Sequence, residues 1–246
     1  RTIINRLELD LNYKVIGVMY DENGQPIYDG RDFVRNSKRF GVPQNRPRTY
    51  IMAFDRAHYG EELIRALPNL LPDHNDLNIY EDLNDLLEFG AEPRHYMSSG
   101  YLETLERHRE RQKANGNGFG YIVVNRPEVE HPIANTLLAT GGSGKERNLV
   151  FDPQDGIAGM IVPTKTTPLN AKGIRVMTPR EWGKLQGFIG YAFIENGVDT
   201  FSFPEGISDC QKYKQFGNSV TIPVIETMAR FMLECFEILG ELANIE

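Results

Sequence analysis

Cysteine is scarce in this chain. Only Cys210 and Cys235 occur among 246 residues, far apart and without metal-like spacing. That excludes a disulfide scaffold and a thiolate zinc site, and it suits a reducing cytoplasm. No apolar run approaches the roughly 18 residues that a membrane helix needs, and the first residues lack a signal-peptide-like hydrophobic stretch, so a soluble protein with no membrane partner is expected. Repeats and low-complexity tracts are missing too. So is a positive balance, because the formal net charge is −7. Residues 55–92 hold two basic and ten acidic residues, a local balance of −8, which leaves the remainder at +1. The acidity is therefore confined to one segment, expected to face away from any nucleic acid, and charge alone gives no argument for DNA binding.

What is present is enough for a core: 40% of the residues are hydrophobic, and the length allows one large domain or two small ones. Ile3, Leu7 and Leu11 recur at four-residue spacing, which predicts one apolar face of a helix. A strand is expected over Tyr13 to Tyr20, then a turn at Glu22-Asn23-Gly24, and a further strand over Tyr50 to Phe54. This alternation is compatible with one flank of an α/β sheet. Short helical pieces broken by Pro68, Pro72 and Pro93 follow. Ser98 or Ser99 can cap a charged helix over Tyr101 to Lys113 that stops at Asn115-Gly116. Residues 116–162 are rich in glycine, with short β-runs at Tyr121 to Val124, Thr136 to Ala139, Leu149 to Phe151 and Gly159 to Val162, which predicts a small, irregular, mainly-β domain. Pro223 opens a last helix whose apolar stripe includes Val224, Met228, Phe231 and Cys235.

Several glycine motifs resemble known loops and fail on inspection. Gly116 to Gly120 lacks the strand and helix of a dinucleotide loop. Gly141 to Glu146 carries Glu146 where a phosphate loop requires Ser or Thr. Asp152 to Gly156 lacks the later glutamate of a calcium loop. Hairpin turns remain one reading of these glycines, close backbone approach to a nucleic-acid groove another.

The most informative stretch runs from Phe40 to Ile51, Phe-Gly-Val-Pro-Gln-Asn-Arg-Pro-Arg-Thr-Tyr-Ile. Its turn delivers Arg46 and Arg48 two residues apart before a strand, a spacing that predicts two guanidinium forks side by side, suited to phosphate or base edges. On spacing alone, a solvated rim is the commoner use of such a pair.

This block resembles motif VIII, Gln-x-Arg-x-Arg, of the DNA cytosine-5 methyltransferases. Arg175 to Phe188 resembles the family's motif IX and Tyr213 to Val220 its motif X, in the same order and with a long variable stretch between VIII and IX. The resemblance spans nearly the whole chain but only the carboxyl-terminal half of the family's pattern. The glycine-rich cofactor loop, the Pro-Cys nucleophile and the Glu-Asn-Val acid do not occur. The chain is therefore expected to be a fragment or one subunit of a split enzyme, inactive alone.

The resemblance implies an α/β fold: the flank of a Rossmann-like S-adenosylmethionine-dependent methyltransferase sheet plus a small, irregular target recognition domain. The implied segments are 1–54 for the carboxyl-terminal flank of the catalytic domain, 55–115 for a helical connector, 116–174 for target recognition, 175–207 for motif IX and a hinge, and 208–246 for motif X and a helix returning to the catalytic domain. The implied chemistry is attack of a cysteine thiolate on C6 of a flipped cytosine, methyl transfer to C5 and loss of the C5 proton. Arg46 and Arg48 would support catalysis. Asn218, Ser219 and Val220 would bind S-adenosylmethionine. Gln44, Gly118, Tyr121, Thr140, Gly141, Gly142, Ser143, Lys145 and Arg147 would contact double-stranded DNA. Arg180 and Glu181 read as structural, with Trp182, Leu185 and Phe188 as core. The implied partner is a complementary amino-terminal half, and the implied setting is a bacterial restriction-modification system. A DNA-binding module without catalysis and a tRNA-directed relative are the alternatives.

Overall fold

The structure is a computed structural model that describes residues 2–118, 121–140 and 145–240. Contacts gather the chain into two units, a coarser division than the five segments expected from the sequence. The first comprises residues 1–40, 47–77 and 223–246, and the second residues 41–46 and 78–222.

The first unit begins with the single helical turn α1 (Thr2–Asn5), which passes into a π-helical turn over Arg6–Asp10. The wider turn breaks the expected four-residue phase. Ile4 and Glu8 are buried, whereas Ile3 and Leu11 are exposed. Glu8 is buried because its carboxylate is occupied: it accepts the Val15 backbone N–H at 2.6 Å, the Tyr20 hydroxyl at 2.5 Å and the Arg56 guanidinium at 3.2 Å. A buried carboxylate with three donors outcompetes an apolar side chain for that position.

The expected strand over Tyr13 to Tyr20 is two strands, β1 (Tyr13–Val15) and β2 (Met19–Tyr20). They are separated at Gly17, whose φ of 98° suits only glycine. β2 pairs with β3 (Pro26–Ile27) as a hairpin, and β4 (Val34–Asn36) receives β6 (Pro47–Thr49). β1 pairs antiparallel with β7 (Ala53–Asp55), while Tyr50 to Met52 is not strand, which corrects the expected run. Two short helices, α2 (Arg56–Tyr59) and α3 (Glu61–Ala66), follow. Residues from Pro223 onward in α8 (Ile222–Ile238) close the core with Val224, Met228, Phe231 and Cys235 against Ile16, Phe40, Phe54 and Leu71, as the apolar stripe predicts.

The second unit opens with β5 (Gln44–Asn45), which pairs in parallel with β8 (Ala134–Asn135). α4 (Leu83–Leu86) starts with a capping box from Asp82 and Asp85, so part of the acidic segment serves backbone amides rather than a repelling surface. The charged helix α5 (Ser99–Ala114) lies where the sequence predicts, although Ser98 at its N-cap makes no side-chain cap bond. The expected mainly-β domain is largely irregular. Of its four predicted runs only β9 (Leu149–Phe151) forms, paired with β10 (Ile174–Val176). Side-chain amides add fastening around this pair: Asn170 donates to the Met97 and Ile174 carbonyls, and Asn125 exchanges hydrogen bonds with the Phe151 backbone. The unit is completed by α6 (Pro179–Leu185), the hairpin of β11 (Ile194–Glu195) and β12 (Val198–Asp199), and α7 (Asp209–Asn218). Among the described residues, strands pair only two at a time, so no larger sheet is present.

His95 is buried in this unit. Desolvation is the main reason its pKa falls from the ordinary 6.5 to about 4. A depressed histidine pKa contributes stability that is complete above pH 6.5 and is lost as pH falls through 4. The melting temperature should therefore fall between pH 6.5 and 4, and His95→Gln should make that fall shallower; an unchanged slope would exclude the contribution.

Candidate functional site

Arg46 and Arg48 do not form one side-by-side pair. The chain belongs to the second unit through Arg46 and to the first from Pro47, so the two arginines serve different units. Arg46 is buried, at 3% exposure, and its guanidinium donates to the carbonyls of Leu137 (3.0 Å), Gly217 (3.0 Å) and Ser219 (2.7 Å). Arg48 is exposed on β6, and its Nη1 donates at 2.7 Å to the carbonyl of its own neighbour Pro47. The expectation of two exposed forks side by side is thus corrected to one exposed guanidinium, that of Arg48. Alternation along a strand fails because Arg46 sits in the break between β5 and β6, outside either ladder.

The Arg46 contacts tie three distant stretches of the second unit together. Gly217 adds a steric reason for the same arrangement: a Cβ there would lie 2.4 Å from the Leu138 carbonyl oxygen and 2.6 Å from the Ala139 nitrogen. The glycine of the Gly217-Asn218 pair is therefore required by close approach of the 138–139 backbone to α7, and not by a turn. Gln44 is fully buried, and its Nε2 donates at 2.9 Å to the Leu185 carbonyl at the end of α6. The structure thus places Gln44 in the interior of the second unit, where the expected DNA contact would have had it exposed. Gln186 continues the fastening: its Nε2 donates to the Phe216 carbonyl, and its Oε1 accepts from Thr221.

The cofactor candidates follow directly. Asn218 and Val220 are exposed, and Ser219 is half-buried with its hydroxyl donating to the Phe216 carbonyl. Arg46 fixes the Ser219 carbonyl from behind, so Asn218 and Val220 project from an anchored backbone.

The DNA candidates divide. Tyr121 is buried, with its hydroxyl donating to Glu106 at 3.4 Å and Arg109 stacked over its ring at 4.7 Å, so packing accounts for it and its expected DNA contact is corrected. Gly118, Thr140 and Arg147 are exposed. Lys145 begins a 3-10 turn over Lys145–Asn148. Gly141, Gly142 and Ser143 lie outside the described residues. Asn148, the last residue of that turn, accepts from the Asn135 N–H and donates to the Asn135 carbonyl.

Sequence reasoning missed a second anchor. Arg175 and Glu181 are fully buried and form a two-pronged ion pair at 2.7 and 2.8 Å, while Arg175 Nε reaches Asp152 at 2.6 Å. These carboxylates hold the guanidinium pKa above its ordinary value against the desolvation of burial. Glu181 also accepts the Thr178 N–H within a capping box and the Glu88 N–H. The Thr-Pro-x-Glu pattern betrayed the helix start, but nothing local marked Arg175 as its partner.

Comparison with known proteins decides the family. Residues 10–234 match the family described as C-5 cytosine-specific DNA methylase. The chain belongs to that family. It is 35% identical to the Type II methyltransferase M.HpaII of Haemophilus parainfluenzae, over 95% of this chain and 55% of that protein. It is 30% identical to the Type II methyltransferase M1.ScrFI of Lactococcus lactis subsp. cremoris, over 96% and 47%. The chain thus spans about half the length of these relatives. In fold it is similar to the Entamoeba histolytica methyltransferase EhMeth, with a TM-score of 0.51 at 18% identity over 97% of this chain and 57% of the other. The S. pombe Dnmt2 methyltransferase gives a TM-score of 0.51 at 13% identity, over 95% and 61%. No helix among the described residues is long and apolar enough to cross a membrane.

Two substitutions test the anchoring. Arg46→Ala leaves three carbonyls without their charged donor and should cost about 3 kcal/mol, lowering the melting temperature by on the order of 10 °C. Gly217→Ala should cost about 2 kcal/mol through overpacking. Calorimetry that finds either variant as stable as the parent would contradict the corresponding contact.

Proposed function

We propose that this chain is the carboxyl-terminal half of a DNA cytosine-5 methyltransferase of the restriction-modification type, carrying target recognition and part of the pocket for cofactor and target cytosine. The observation that carries this reading is the division of labour inside Gln44-Asn45-Arg46-Pro47-Arg48. Gln44 and Arg46 are consumed by the scaffold, and Arg48 alone keeps an exposed guanidinium.

In this reading a cytosine swung out of a duplex is held on its polar edge, because a base that leaves the stack needs partners for the groups it unpaired. Arg48 donates to the cytosine carbonyl and the neighbouring phosphate. A charge-assisted bond at that position stabilises the negative charge that develops on the ring when a thiolate adds to C6. The thiolate comes from elsewhere. Neither cysteine of this chain follows a proline, and Cys235 is buried among apolar side chains that push its pKa up to about 11. A thiol so raised stays protonated at neutral pH and has no route to a base.

S-adenosylmethionine, when bound, supplies the methyl group. The donor set fits its amino-acid end: the exposed Asn218 amide carries both a donor and an acceptor for a zwitterion, on a backbone held by Arg46. The 140–148 loop, with Thr140, Gly141, Gly142, Ser143, Lys145 and Arg147, reads the flanking duplex through base edges and phosphates.

Combined with a portion bearing the Pro-Cys nucleophile, Arg48→Ala should lower turnover on duplex DNA by at least tenfold while leaving the melting temperature unchanged. Unaltered methylation, followed with labelled cofactor, would exclude the role. Methylation by this chain alone would exclude the half-enzyme reading.

A further inference from the structure

Within the second unit, a cavity of about 440 Å3 joins the start of α5 to the Thr164-Lys165-Thr166 turn. Three polar side chains that line it make no hydrogen bond or ion pair among the described residues. Ser98 and His95 are each only 7% exposed. Ser98 stands at the N-cap of α5 and makes no cap bond, and the His95 ring is likewise idle. Lys165 is half-buried with no counter-ion. Burial lowers its pKa, and no carboxylate lies near enough to oppose that shift. Buried polar groups and half-buried charges are costly until something completes them. The helix favours an anion at the same place. α5 runs for 16 residues, so its amino end carries partial positive charge. Of its first three amides, Ser99 donates to the Pro168 carbonyl and Gly100 to the Thr167 hydroxyl, which leaves that of Tyr101. The other charges in the lining are already engaged. Arg94 pairs with Glu92 and Asp209, and Glu146 accepts the Tyr101 hydroxyl at 2.9 Å. That last bond sets the cavity beside the Lys145–Asn148 turn, which ends the candidate DNA loop.

We propose that this cavity binds a phosphate group, with Lys165 supplying the charge and Ser98 and His95 the hydrogen bonds. The source of the phosphate rests on the functional reading above: it is a backbone phosphodiester of the duplex whose bases the 140–148 loop reads. A contact of this kind fixes the protein's position on the duplex without carrying sequence information. His95 suits the task as a neutral donor. Its pKa of about 4 leaves the ring uncharged at neutral pH, with one N–H to give.

The test uses the chain itself and inorganic phosphate. At constant ionic strength, balanced with chloride, phosphate should move the magnetic resonances of the Lys165 ammonium and the His95 ring together and to saturation. It should also raise the Lys165 pKa toward its ordinary value, because an anion beside the ammonium favours the charged form. Lys165→Gln should weaken phosphate binding by about tenfold, the loss of one charge-assisted partner. Ser98→Ala should weaken it too without lowering the melting temperature, since no cap bond is lost. Lys172→Gln removes a charge already paired with Glu106 and should change nothing. Resonances that stay still, or equal binding by Lys165→Gln, would overturn the site. Duplex DNA separates the sources. It should displace the phosphate, and Lys165→Gln should reduce the salt dependence of duplex binding by about one phosphate contact. A duplex that binds without displacing phosphate, with its salt dependence unchanged in Lys165→Gln, would assign the site to a free phosphate and overturn the duplex contact. Phosphate that saturates on a chain binding no duplex would remove the functional reading and leave the site standing.

Discussion

A single buried guanidinium organises the second unit. Arg46 holds carbonyls from Leu137, from the end of α7 and from the residue after it, and these segments are about ninety and one hundred and seventy positions away along the chain. Charged donors to buried carbonyls are worth more than neutral ones, and their removal leaves groups that water cannot reach. Gly217 makes the arrangement sterically possible. With a side chain at that position, the Leu138–Ala139 backbone would have no room beside the helix. The base of a candidate DNA loop and the backbone of a candidate cofactor segment are thus fixed by one side chain.

That anchoring explains why two arginines of one motif have different fates. A residue in the break between two strands is free of the ladder and can turn inward; a residue on β6 keeps the ladder's geometry and stays exposed. The Arg175–Glu181–Asp152 cluster plays the parallel role around α6. Arg175 and Glu181 are wholly buried and Asp152 is half-buried, so pairing and the Thr178 and Glu88 amides are what make the Glu181 carboxylate tolerable there. Within the second unit, buried polar groups supply fasteners where strands are too short to supply them.

The sequence was most legible where local chemistry decides the structure. The Ser98 or Ser99 start and the Asn115-Gly116 stop bracketed α5, and the stripe after Pro223 was core. The family was legible from three short motifs. What could not be read was partnership at long range. Four-residue spacing put Ile3 and Leu11 on a covered face, but the π-helical turn and the demands of Glu8 changed the phase. Gln44, Arg46 and Tyr121 read as substrate contacts from the family resemblance; their carbonyl, carboxylate and cation partners lie elsewhere in the sequence. The expected β-runs of 121–124 and 159–162 keep only scattered backbone bonds to distant stretches, such as Val124 to Leu149 and Gly159 to Leu169, and no local pattern announces those partners.

Amide hydrogen exchange on the Arg46→Lys variant tests the anchoring most directly, since lysine keeps the charge and loses the fork. If one guanidinium fastens these segments, the amides of Ala134, Ser219 and Ile222, each hydrogen-bonded within the second unit, should lose protection together, while Ile16 and Tyr50 in the first unit keep theirs. Protection unchanged at all three, or lost at only one, would contradict the account.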